Sequence, residues 1–363
     1  MDSLVTSNIR QRPLRSIISV LGVALGVALV MVFTGLAHGM SNDLQRRSAN
    51  VRAEIIFTRP GSIELTSSST NLSTKYVELL KQIDGVESAV PVIRYFYPSG
   101  SFGLDQVEGV DWDGFAKMNN IHLVAGHAPR ALDEIVIDEM KASRNHPVGS
   151  MVKLFGDKPY RVSGIYSPES GARVKLSIES LQNALEAPGK CTYVLVKCKN
   201  PADQVAVARR IDQQYPGNKV QFTRDVFTSV ENSIPSLKIF LRVLVALAAV
   251  VSALVVMLAM HTTITERTRE IGILKAMGAS RRYIISEIER EALLISAMGL
   301  VLGFVLAAGA GFFIHKTTGL IFEFGWLWAL VAGAIGLLGG ALGAFYPAVR
   351  AANLDPVNAL AYE

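Results

Sequence analysis

The side chains through which this 363-residue chain could carry chemistry are 6 histidines, 2 cysteines and 31 acids, and their spacing supports little of it. His122, His127 and His146 lie in the central part of the chain, and His38, His261 and His315 lie at the ends of apolar runs. None stands in a His-x-x-x-His, Glu-x-x-His or Cys-x-x-Cys arrangement, the spacings that turn two ligands toward one metal. No Gly-x-Ser-x-Gly elbow marks a nucleophile. The acidic pairs Asp111/Asp113 and Asp133/Glu134 sit in turn-like contexts and are expected to form turns and start helices. Cys191 and Cys198 fall at the two ends of a β-branched and aromatic run that reads as a strand. Extended at about 3.3 Å per residue they stand roughly 23 Å apart, far beyond disulfide reach, so a small core residue is expected at one or both positions. The phosphate-binding pattern Gly-x-x-x-x-Gly-Lys-[Ser/Thr] is missing, since His315-Lys316-Thr317 lacks the glycine before the lysine. No catalytic, cofactor or metal residue is therefore expected in this chain.

The elements that would position any site are mostly apolar. Half the residues are hydrophobic, 18% are charged and the net charge is +5, a composition unusual for a soluble chain. Four runs stand out, at residues 17–37, 241–264, 291–314 and 324–349. Each is long enough to cross a hydrocarbon core of about 30 Å at about 1.5 Å per residue. A signal peptide is the competing reading of the first, but its apolar core would be only about 7–15 residues. Gly22, Gly26, Gly299, Gly303, Gly336, Gly339, Gly340 and Gly343 recur at three- and four-residue spacings, which brings helix backbones close. Few charges fall within the runs, which argues against an ion pathway or an intramembrane enzyme. Arg242, at the edge of the second run, reads as a headgroup anchor.

Basic residues set the orientation. Arg10, Arg12 and Arg15 precede the first run, and Arg267, Arg269, Lys275, Arg281, Arg282 and Arg290 crowd the link between the second and third. The short link 315–323 offers only Lys316 against Glu323. Residues 1–16, the link 265–290 and residues 350–363 are therefore expected in the cytoplasm, with both termini inside and 38–240 outside as one large insertion. Lys and Arg nearly balance Asp and Glu across that insertion, so no basic stripe for nucleic acid is present.

The insertion reads as an α+β domain, expected as two lobes. A helix leaves the membrane over 41–53 and a strand follows at 54–57. A Ser/Thr-rich loop at 66–74 runs into a helix at 74–83. Short alternating segments are expected as strands at 90–97, 106–109, 134–137, 151–155, 160–166 and 192–197, interrupted by helices at 178–185 and 201–214.

The most informative stretch is Glu266-Arg267-Thr268-Arg269-Glu270-Ile271-Gly272-Ile273-Leu274-Lys275-Ala276-Met277-Gly278-Ala279. It is too polar to span a membrane. Ile271, Leu274 and either Met277 or Gly278 fall at helical spacing, so a short amphipathic helix is expected, serving either as a membrane-surface anchor or as a docking helix. This segment resembles the stretch after the second span in FtsX-like and MacB-like ABC-transporter permeases, the type VII or mechanotransmission fold. Pro347-Ala348-Val349-Arg350-Ala351-Ala352-Asn353-Leu354-Asp355-Pro356-Val357-Asn358-Ala359-Leu360 is similar to that family's closing motif. Gly109-Val110-Asp111, Glu134-Ile135-Val136-Ile137 and Val162-Ser163-Gly164-Ile165 follow its outer-domain pattern.

The resemblance implies a membrane α-helical fold with four transmembrane helices and an inserted extracytoplasmic MacB-like periplasmic core domain, in the inner membrane of a bacterial cell. It implies a stand-alone permease subunit, similar to DevC-like and heme-efflux types, that pairs with a second copy or a paralogue. It also implies a cytoplasmic ABC ATPase subunit that binds ATP and Mg, and leaves room for a periplasmic adaptor. Docking falls to Glu266, Arg269, Glu270, Ile271, Leu274, Lys275 and Met277, with Ile271 and Leu274 as the apolar anchors. The expected function is ATP-driven export or extraction of an amphipathic cargo such as a lipid, lipoprotein, peptide, drug or heme. The alternative is a signalling subunit that activates an outer partner such as a cell-wall hydrolase. For heme or another cargo, His38, Met40, His315 and Glu323 are the candidate contacts, against interfacial packing as the plainer role.

Overall fold

The structure, a computed structural model, describes residues 13–62, 68–98, 104–155, 158–225, 235–266, 268–318 and 320–353. Arg10, Arg12, Arg267 and the closing motif from Leu354 onward lie outside the described residues. The chain divides into two compact units: residues up to Ser41 together with those from Pro235, and Asn42–Ile234.

In the first unit, helices α1 (Pro13–Ala49), α7 (Pro235–Glu266), α9 (Arg281–Thr318) and α10 (Trp326–Ala352) are each long and apolar enough to cross a membrane. A shorter helix, α8 (Thr268–Ala276), joins α7 to α9. The helices outrun the apolar runs that predict them. α1 continues past residue 37 to Ala49, and α9 takes in residues 281–290 of the polar link. Nothing in Asn42 to Arg47 breaks a helix, so it ends where packing ends it rather than where hydropathy falls. Val20, Val23, Val27 and Met31 of α1 form one core with Val256 and Met260 of α7, Ala292 and Ile295 of α9, and Ala332 and Ala344 of α10. Leu21, Leu25 and Leu29 on α1 and Leu247, Leu254 and Leu258 on α7 face outward, as lipid-facing side chains do.

The span glycines are contact points. A Cβ on Gly299 would lie 2.7 Å from Val23 Cβ, and one on Gly303 would lie 2.8 Å from Val27 Cβ. Ser296 fills the space a side chain on Gly340 would need, and Ser252 does so at Gly26. After α9 the chain turns through Leu320 to Gly325. Phe322 takes the space left by Gly35 and Gly311, and the Glu323 N–H donates to Gly35 O at 3.2 Å.

Among its described residues the second unit has twelve strands: β1 (Ile55–Thr58), β2 (Leu72–Ser73), β3 (Val86–Pro98), β4 (Leu104–Val110), β5 (His122–Gly126), β6 (Glu134–Asp138), β7 (Met151–Lys153), β8 (Pro159–Ser167), β9 (Val174–Ser177), β10 (Lys190–Cys191), β11 (Tyr193–Cys198) and β12 (Lys219–Phe222). Its helices are α2 (Tyr76–Lys81), α3 (Trp112–Asn119), α4 (Glu139–Ala142), α5 (Ile178–Ala184) and α6 (Gln204–Gln214), the last preceded by a 3-10 turn at Pro201–Asp203. Ten strands form one sheet in the order β12-β1-β11-β3-β4-β9-β6-β8-β5, with β7 on β8, and β10 pairs with β2 separately. In place of two lobes there is one continuous sheet, joined at its centre by the parallel β4–β9 pair.

Both faces of the sheet are covered. Ile55, Phe57, Ile93, Ile135, Ile137, Val194 and Val196 share one core with Leu80 of α2, Leu181 of α5 and Ile211 of α6. Ile56, Val90, Val92, Val136 and Leu195 share the other with Phe115 and Met118 of α3. That is why Ile55-Ile56-Phe57 and Ile135-Val136-Ile137 are unbroken apolar runs rather than alternating ones. The sequence reading gives no element for α3, β5, β9 or β12. In β9 the cause is Lys175, a charge in the middle of a four-residue strand. Cys191 and Cys198 are buried free thiols, as their spacing requires.

Candidate functional site

α8 is held by its own chain before any partner is considered. Its C-terminus closes in a Schellman arrangement, with Gly278 at φ +91°, Gly278 N–H donating to Lys275 O and Ala279 N–H to Leu274 O, each at 3.0 Å. The Ser280 hydroxyl then accepts from Tyr283 N–H and starts α9. Ile271 is buried against Ile264, Ile284, Ala351 and Ala352, so it seats α8 on the ends of α7, α9 and α10. Leu274 is half-buried and lines a small cavity of about 50 Å³ with Met260, Ile284 and Glu291. Lys275 Nζ donates to Ala352 O at 2.9 Å, satisfying a carbonyl in the last turn of α10 that has no partner within the helix.

The two expected apolar anchors, Ile271 and Leu274, are not the outward side chains of α8. Ile271 faces inward and Leu274 is half-buried. The outward apolar side chains are Ile273, 44% exposed, and Met277, 72% exposed. They stand four residues apart beside the exposed Arg269 and Glu270. Both apolar sets fit a 3.6-residue period, and only the packing of α8 onto its neighbours decides which one faces out. Glu266 closes α7, and its side chain lies outside the described residues.

Three of the four candidate cargo contacts, His38, His315 and Glu323, lie at the turn from Leu320 to Gly325. His38 is half-buried, with its ring near Gly325, where a Cβ would lie 3.6 Å from its Cδ2. Met40 is exposed. His315 is exposed, and its Nδ1 lies 3.1 Å from Leu320 O. Glu323 is half-buried. Among the described residues no group of three or more His, Cys, Asp or Glu side chains could hold a metal.

The inserted domain carries a buried ionic network that the sequence reading does not single out. Glu108 on β4 accepts from Lys175 Nζ at 2.8 Å, Tyr193 OH at 3.1 Å, Arg94 Nη2 at 3.3 Å and Ala172 N–H at 3.1 Å. Lys175 has no exposed surface. Its ammonium also donates to Ala172 O and lies 4.5 Å from the centre of the Phe115 ring, a position where the ring face favours a cation. Burial pushes the Glu108 carboxyl up, but Lys175 and Arg94 outweigh it and hold the group at about 2. Beside it, Arg173 pairs with Asp138 of β6 and with Asp43 near the end of α1. Glu134, expected to form a turn, opens β6 as a buried carboxylate and accepts from the N–H groups of Arg130 and Ala131 and from Arg161. Lys175, a charge between Val174 and Leu176 in a short strand, is the local signal of such a network.

Four membrane-length helices, a short polar link helix and an inserted two-faced α+β domain define a membrane permease in architecture. The chain belongs to the MacB-like periplasmic core domain family, whose model matches residues 16–214, and the FtsX-like permease C-terminal model matches residues 242–356. One relative is the macrolide export ATP-binding/permease protein MacB of Campylobacter jejuni subsp. jejuni serotype O:23/36 (strain 81-176), 27% identical, with 98% of this chain and 60% of the relative covered. Another is the pyoverdine export ATP-binding/permease protein PvdT of Pseudomonas putida KT2440, 24% identical, with 96% of this chain and 57% of the relative covered. The chain thus spans less than two thirds of the length of these relatives. Among solved structures, the periplasmic region of MacB from Actinobacillus actinomycetemcomitans is 15% identical, covering 52% of this chain and 98% of that one at a TM-score of 0.38.

Proposed function

We propose that this chain is the permease part of an ABC exporter, in which ATP hydrolysis by an ATPase subunit docked at α8 changes the conformation of the inserted domain and moves an amphipathic cargo. The carrying observation is the way α8 presents itself. Ile271 and Lys275 tie it to three helices of the bundle, while Arg269, Glu270, Ile273 and Met277 stand outward. A helix braced on one side and open on the other can pass a push to α7, α9 and α10. Two apolar anchors flanked by charges suit a groove on a protein partner, the apolar pair giving affinity and the charges orientation.

The excess of Arg and Lys around α8 supports a cytoplasmic position for it and for both termini, with the inserted domain on the opposite side of the inner membrane. Pairing with a second permease copy or paralogue belongs to the same reading. Relatives named for macrolide and pyoverdine export favour a bulky amphipathic cargo over an ion, and the scarcity of charge in the spans agrees.

The test is co-purification of the chain with its ATPase in detergent or nanodiscs, followed by ATP hydrolysis, for the wild type, Met277→Asp and Ile273→Asp. A buried anchor residue replaced by a charge costs about 2 kcal/mol or more, so association should weaken about 30-fold or more. Association indifferent to both substitutions would refute docking through this face of α8. Hydrolysis stimulated by cargo supports export. Hydrolysis unmoved by any amphipathic cargo, but coupled to capture of a soluble outer partner, would point to signalling instead.

A further inference from the structure

α1 is one uninterrupted helix from Pro13 to Ala49, and its last turns belong to the inserted domain. Two helical-end residues, Asn50 and Val51, close it through N–H bonds to Arg46 O and Ser48 O. The chain then reaches β1 at Ile55 after only a few residues, held by Arg52 N–H donating to the Asn119 side chain at 2.9 Å.

The segment between β8 and β9 closes on the end of α1. Arg47 Nη1 donates to Gly171 O at 2.9 Å, Gly171 N–H donates back to Arg47 O at 3.3 Å, and Asn50 Nδ2 donates to Glu169 O at 2.7 Å. Arg173 ends the segment with its guanidinium between two carboxylates, Asp43 of α1 and Asp138 of β6, while Asp43 also pairs with Arg47 at 3.0 Å. Asp138 is fully buried and caps α4 by accepting from Lys141 N–H at 2.7 Å. On its other side the same segment sits on Glu108, which accepts from Ala172 N–H, and Tyr166 OH donates to Ala172 O at 2.8 Å. Gly171, at φ +59°, leaves no room for a side chain, because a Cβ there would lie 2.5 Å from Glu108 Oε2. Asp43 thus reaches β6 through Arg173 and Asp138, and the segment reaches β4 through Ala172 and Glu108.

We propose that Arg173 is the positioning residue of a rigid joint, through which displacement of α1 is delivered to the centre of the inserted-domain sheet. The proposal rests on the reading of the chain as an ATP-driven permease. The guanidinium suits the role because its planar fork can hold two carboxylates at once in fixed directions, which a lysine ammonium on a flexible stem does less well. A buried ion triplet is a weak contributor to stability against well-packed apolar side chains, and geometric definition is the use for which such groups are best suited.

The test uses the full chain with its ATPase in nanodiscs and reads hydrogen exchange in β5 and β7, distant in the sheet from Arg173, with and without ATP. Arg173→Met and Asp43→Asn are compared with wild type; Asp43→Asn keeps Arg173 paired with Asp138 and serves should Arg173→Met fail to fold. In both variants, ATPase association and hydrolysis are expected within about two-fold of wild type, while the ATP-dependent exchange difference in β5 and β7 falls about five-fold or more. Arg173→Lys is expected to recover part of that difference. A merely structural role would lower thermal stability without removing the ATP response of the folded protein. Variants that respond to ATP as the wild type does overturn the joint and leave the permease reading standing, and variants that no longer bind the ATPase overturn it too. A wild-type complex whose inserted domain does not respond to ATP overturns both.

Discussion

Replacing Lys175 by Met tests the buried network at its most enclosed member. Methionine keeps an unbranched stem to fill the space beside Phe115 and Tyr166, so the change removes charge with little change in volume. Glu108 loses the 2.8 Å bond from Lys175 but keeps those from Tyr193, Ala172 and Arg94. Breaking a buried pair costs about 3–5 kcal/mol, and the remaining guanidinium places this case near 3. For a domain of this size that lowers the thermal midpoint by about 6–12 °C, readable by the fluorescence of Trp112, which lies 6.0 Å from the Tyr166 ring. The acid limb gives an independent check. A carboxyl held at about 2 in the fold against 4.5 ordinarily contributes about 3 kcal/mol that is fully present above roughly pH 5 and is lost as pH falls toward 2. Lys175 is the largest of the groups holding Glu108 low, so Lys175→Met should flatten that acid limb as well as lower the midpoint. A single variant that costs less than about 1 kcal/mol would refute the argument.

Gly303→Leu should disrupt the bundle, because Val27 Cβ and Ala24 O already lie 2.8 and 2.9 Å from where its Cβ would be. Overpacking of this kind costs about 1–3 kcal/mol, visible as a lower aggregation temperature in detergent, whereas Gly309→Leu, with nothing within 4 Å of its Cβ, should leave that temperature unchanged. Cys191 and Cys198 are buried, and burial pushes their thiols up to about 12 and about 11. At pH 7 they should resist a thiolate-directed alkylating reagent in the folded chain and react only on unfolding; stoichiometric labelling of the native protein would contradict their placement.

Much of the architecture was legible in the residues. Hydropathy and length alone mark the four spans, since no other element accommodates twenty or more apolar residues without charge. The span glycines announce close helix contacts, and Gly22, Gly26, Gly299, Gly303 and Gly340 each meet a neighbouring helix. Strong β formers between turn residues give β3, β6, β8 and β11. The elements that were not legible are those whose local signal is weak or contrary. β9 contains a lysine, β5 is largely exposed at the sheet edge, and α3 starts at a Trp-Asp-Gly that reads as a turn.

The sequence by itself determined which segments are helices in lipid, that a polar amphipathic helix joins two of them, and that an α+β domain is inserted after the first. These follow from periodicity and transfer free energy, which act locally along the chain. Tertiary structure alone decided which face of α8 is free. Ile271 and Ile273 are equally apolar and two residues apart, and only the ends of α7, α9 and α10 bury the one and expose the other. It also decided that Asp43, Asp138 and Arg173, far apart in sequence, share one ion cluster, because charge pairing depends on distances that the fold sets and the residue order does not.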